Sequence, residues 1–135
     1  MMAPTAAYLD KARQALKEAR AVADIGLPEA AGRAAYLAAY HAAQAFIFAR
    51  ARKVSKTHSG VRSEFARLAK DDPQIDRTFP AFLAQAYNLK SIADYAVGVD
   101  AHVSPAEADE AIKEAARFVK LISSLLLGDE PQGAR

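Results

Sequence analysis

Apolar side chains recur every three or four residues along nearly the whole chain, and no stretch alternates residue by residue, so the pattern predicts helices and no strands. The first helix is expected from about Thr5 to Ala23, with Leu9, Ala12, Leu16, Ala19 and Ala23 on one stripe and Gly26 after its end. The second opens at Pro28, whose missing N–H costs nothing in a first turn, and runs to about Arg52. Tyr36, Tyr40, Ala43, Phe46 and Ile47 form its inner face. After the connection "KVSKTHSG", a shorter helix from Ser59 to Ala69 presents Val61, Phe65 and Leu68. "DDPQID" reads as a turn, because the residue before proline avoids helical angles. A fourth helix follows from Asp76 to Val97, burying Phe79, Phe82, Leu83, Ala86, Leu89 and Ala93, with Pro80 in its first turn. The last has the clearest start signal: in "SPAE" Ser104 caps, Pro105 opens the helix and Glu107 completes a capping box. Its stripe is Ala108, Ile112, Ala115, Val119, Ile122 and Leu126, and Gly128 stops it. Short links between long helices predict an all-α, up-and-down bundle. Residues 1–128 form one domain in this reading, and 129–135 a frayed tail.

Composition narrows the classes. A chain of 135 residues can bury a core without covalent staples. It is 52% hydrophobic, but much of that is alanine, so helices should pack closely. The absence of cysteine excludes disulfides, thiolate nucleophiles and Cys-ligated zinc. No basic segment followed by an apolar run opens the chain, and no window is apolar enough to span a bilayer, so a cytoplasmic protein is expected. His41, His58 and His102 are too scattered for a metal-ligand spacing, and no metal or cofactor is expected. Gly-rich phosphate loops, Ser-His-Asp sets and paired carboxylates are likewise not evident.

Charge adds a contrast. From Arg50 to Lys70 there are seven basic residues (Arg50, Arg52, Lys53, Lys56, Arg62, Arg67 and Lys70) against Glu64, a local +6. The net charge is +2, so the remainder carries −4. Such a segment can meet phosphate or an acidic partner. It can equally be a set of solvated helix ends with cations near the C-terminal dipole.

Three segments in order carry a resemblance: "GRAAYLAAYHAAQAFIFARAR", "KTHSGVRSEF" and "LAQAYNLKSIADYAVG". Together they resemble the HEPN domain family, in a branch with an Arg, an aromatic pair and "HAA", then His-x-Gly-Val, then Arg-x-x-Ala-Asp-Tyr. The likeness extends from about Ala3 to Leu127. It implies an antiparallel four-helix bundle with an additional short helix, often a homodimer. Such proteins are commonly paired with a nucleotidyltransferase-like partner in toxin–antitoxin or nucleotide-handling systems. Active members resemble metal-independent ribonucleases that use an Arg and, four to six residues later, a His. The Arg steadies phosphate charge and the imidazole moves a proton.

At the corresponding place this chain has Lys90, followed by Asp94 and Tyr95 and no histidine before His102. Lysine keeps the charge but lacks the bidentate fork, so the expectation is binding without catalysis. Lys90, Asp94 and Tyr95 would line the polar site, with Tyr36, Tyr40, His41, Lys56, His58 and Arg62 as further ligand-binding candidates. The ligand would be a nucleotide or RNA. One alternative is a ribonuclease toxin using Arg52 and His58, or Lys90 with a histidine brought in by folding; another is a helical adaptor protein. His58 itself is expected chiefly to satisfy free backbone N–H groups where the third helix starts. His41 reads as a satisfied core imidazole and His102 as a solvated one.

Overall fold

The computed structural model describes residues 3–98 and 102–127. They form α1 (Ala3–Asp24), α2 (Pro28–Ala51), α3 (His58–Lys70), α4 (Thr78–Tyr95) and α5 (Pro105–Leu127), with no strand among the described residues. The helix count and order are those expected; the ends differ by up to two residues. Gly128 and the tail lie outside the described residues.

α1 turns back into α2 through Gly26 at φ 81°, a left-handed angle that a side chain would strain. There Gly26 N–H donates to the Ala23 carbonyl and Leu27 N–H to that of Val22, occupying two otherwise open acceptors. Arg13 in the middle of α1 bonds Ser123 of α5 at 3.2 Å. Arg33 near the start of α2 bonds Asp94 at the end of α4 at 3.0 Å, so these two helices run antiparallel.

α2 is the central element and packs against all four others. Alanine makes that possible: Ala31, Ala34, Ala35, Ala38, Ala39, Ala42, Ala43 and Ala45 are buried around its circumference. A helix apolar on every side is a core helix, and short side chains let its neighbours come close. Larger groups fill the other end of the core. Phe46, Phe65, Phe118 and Phe79 link α2, α3, α5 and α4 in a chain of ring contacts with centroids 5.6, 5.2 and 5.1 Å apart.

The local start and stop signals decide the boundaries. Ser104 and Glu107 exchange the two capping-box hydrogen bonds, each 3.0 Å. Asp76 Oδ1 accepts from Thr78 N–H at 2.8 Å, so the turn before α4 closes on the carboxylate and regular helix begins two residues later than expected. At the other end Ala96 is extended and Val97 is exposed, so α4 stops at Tyr95 rather than Val97. No helix among the described residues is long and apolar enough to cross a membrane.

Candidate functional site

α3 packs on the seam between α2 and α4 and brings polar groups from all three together. His58, its first residue, does not cap it. Thr57 does: its hydroxyl accepts from Gly60 N–H at 3.0 Å. The expected capping role of His58 is thus corrected, because a hydroxyl one residue earlier already meets the open amide. The ring instead turns inward, with Nδ1 2.7 Å from the Tyr36 hydroxyl. It stacks on Tyr40 with centroids 4.4 Å apart and approaches Tyr87 at 5.9 Å.

Proton positions follow from the neighbours. Tyr36 is fully buried, and burial pushes its phenol up to about 12, partly opposed by the nearby Arg62 guanidinium. The hydroxyl therefore keeps its proton. Guanidinium is only a donor, so Arg62 addresses the Tyr36 oxygen and the phenolic proton goes to His58 Nδ1. That leaves the proton of the neutral imidazole on Nε2. Burial lowers the His58 pKa, and the positive charges of Lys90, Arg62 and His41 lower it further. His58 is accordingly a neutral N–H donor whose basic nitrogen is already engaged.

Around it lie cations. Arg62, one turn beyond His58 on α3, places its guanidinium 4.0 Å from the Tyr87 ring centroid, and its Nη1 has no hydrogen-bond partner among the described residues. Lys90 Nζ is 2.8 Å from Asp94 Oδ2, while Arg33 Nε holds Oδ1 of the same carboxylate at 3.0 Å. The Lys90 side chain keeps only 12% of its surface in water, unlike the helix-surface pairs elsewhere. The hydrogen bond to Asp94 raises the Lys90 pKa; the same contact, joined by the Arg33 charge, lowers that of Asp94. Tyr95, 75% exposed, puts its ring 5.4 Å from Lys90 Nζ.

Of the sequence candidates, Tyr36, Tyr40, His58, Arg62, Lys90, Asp94 and Tyr95 are thus brought together. His41 is half-buried beside Tyr40, with Nδ1 2.7 Å from Gln44 Oε1. Lys56 is exposed in the loop before α3, and Arg52 is the left-handed C-cap of α2, its N–H donating to the Phe48 carbonyl. His102 is largely solvated, with Glu29 Oε1 3.4 Å away. Tyr87 does not stand out in the sequence, and Arg33 does so only as the Arg ahead of the aromatic pair, not as a site residue. Positions 87, 90 and 94 form one helical stripe, which is the available signal, but the stripe continues from the buried Leu83 one turn earlier, so it reads as an extension of the apolar core face.

Cavities of about 860, 660 and 430 Å³ lie elsewhere on the bundle. Chemically the seam offers cationic donors, a neutral imidazole N–H and an exposed aromatic face.

Comparisons agree with this architecture. The HEPN domain family matches residues 5–125. A UPF0332 protein of Gloeobacter violaceus is 30% identical over 118 residues, covering 87% of this chain and 92% of that protein. The chain belongs to the HEPN domain family.

Proposed function

We propose that this HEPN-domain protein binds the phosphate groups of a nucleotide or RNA strand at the α2–α3–α4 seam and does not itself cleave them. The observation that carries the reading is a surplus of positive charge. Among the described residues of this cluster, Arg33 and Lys90 share the single carboxylate of Asp94, and Arg62 adds a third cation over the Tyr87 ring. An anion balances that surplus. Tyr95 supplies an exposed face on which a base can stack. Catalysis is disfavoured because the basic nitrogen of His58 is already bonded to Tyr36.

In this reading the protein is the HEPN half of a toxin–antitoxin-like or nucleotide-handling pair. It works as a homodimer with a nucleotidyltransferase-like partner. The test is incubation of end-labelled single-stranded RNA with the protein in EDTA, read on native and denaturing gels. Retarded but intact RNA is expected. RNA that is neither retarded nor matched by nucleotide binding in calorimetry overturns the proposal. A second reading, metal-independent cleavage, is favoured by the one-turn spacing of His58 and Arg62 on α3. It requires products on the denaturing gel that disappear in His58→Ala.

A further inference from the structure

α4 also has an opposite side. Few residues of α4 and α5 touch, and between these helices runs an open groove of about 660 Å³. Its floor is apolar, made by Phe82, Leu89, Ile92 and Ala111. The α5 wall carries Glu107, Glu110 and Glu114 on successive turns, and no Lys or Arg among the described residues lines the groove. On the α4 rim, Gln85 and Asn88 are uncharged.

We propose that this groove docks an amphipathic helix of a partner protein, with an apolar stripe for the floor and Lys or Arg along the flank that meets α5. Both walls are helices whose backbone groups are satisfied internally, so the groove offers no strand edge to a peptide. An occupant must bring its own satisfied backbone, and a helix does. From Thr78 to Ile92 the α4 wall rises about 21 Å, enough for roughly four turns.

The charge pattern selects the flank. Glu107 is partly used in the capping box and Glu114 is held by Arg117 at 2.9 Å. Glu110 is the most available: its side chain is 66% exposed and its ion-pair partner, Lys113, is 4.0 Å away. A second copy is a poor occupant. Two-fold pairing through this face would bring only the same lining, which has no Lys or Arg among the described residues, to the glutamate wall. The apolar stripes of the chain's own basic helices, such as Leu9, Ala12 and Leu16 in α1 or Val61 and Phe65 in α3, are already buried.

The test uses two fluorescein-labelled model helices of about four turns, identical in their leucine stripe, one with a lysine flank and one with a glutamate flank. Fluorescence anisotropy at low ionic strength is expected to give about tenfold tighter binding of the lysine peptide. Glu110→Lys should shrink that preference while leaving the circular dichroism spectrum unchanged. Equal affinities, no binding of either peptide, or a preference untouched by Glu110→Lys overturns the proposal. So does a wild-type dimer that Glu110→Lys converts to monomer, which would show that the face is covered by a second copy. RNA retention by the seam is measured separately, so either proposal can fail alone.

Discussion

The hydroxyl of Tyr36 has two dependants in its buried corner, the His58 ring and the Arg62 guanidinium. Tyr36→Phe removes both contacts without changing the ring. Leaving buried polar groups unpaired costs about 1–3 kcal/mol, measurable as a lower urea midpoint. The same substitution frees Nδ1, so the His58 titration followed by NMR should move upward. An unchanged titration would show that the Tyr36 bond does not hold the imidazole neutral. His58 is visible in the sequence as chemistry, but its role is not. Nothing local says that Thr57, rather than the ring beside it, meets the open amide of Gly60.

α3 is the shortest helix and depends on its start. Thr57→Ala removes the cap and should cost about 0.5–2 kcal/mol, read by thermal unfolding. Gly60→Ala separates propensity from packing. Alanine is favoured over glycine in a helix by about 1 kcal/mol, yet an added Cβ would collide with the Ser55 hydroxyl and lie 2.7 Å from Ser55 Cβ. Destabilisation is expected; a gain in the unfolding midpoint would mean that the preceding loop yields freely. In α2 the demand is the reverse. Ala39 is fully buried, and Ala39→Leu should cost about 1–3 kcal/mol by overpacking. These elements are legible because their spacing and caps are local: Pro28, Ser104 and Glu107 mark ends that the fold keeps. The circumference of α2 is harder to read. Buried alanines point in every direction, and periodicity alone does not choose between them.

Across the molecule, the histidines set the response to mild acid. Burial lowers the pKa of both His58 and His41, from an ordinary value of 6.5. The unfolded chain takes up protons near 6.5 that the folded chain resists, so stability is full above that pH and declines as pH falls toward the folded values. Asp94 and Glu107 are shifted down from 3.8 and 4.5, so their contribution is retained above those values and lost only in stronger acid. The unfolding temperature should therefore fall between about pH 7.5 and 5.5, and the paired substitution His41→Gln with His58→Gln should flatten that slope. A slope unaffected by the pair would place the titration elsewhere.

Whole-molecule assembly explains why the seam is only half legible in the sequence. Lys90, Asp94 and Tyr95 share a helix end and can be read together, whereas Arg33 and Arg62 reach them from α2 and α3 only after packing. The most direct test of the seam is fluorescence anisotropy of labelled single-stranded RNA across a salt series. It compares wild type with Arg62→Gln, Lys90→Gln and, as a control on the exposed face of α1, Lys17→Gln. Each seam substitution should weaken binding and lower the salt slope by about 0.7 for every phosphate no longer neutralised, with Lys17→Gln close to wild type. Equal weakening by all three substitutions, or no weakening by any, would contradict phosphate binding at the seam.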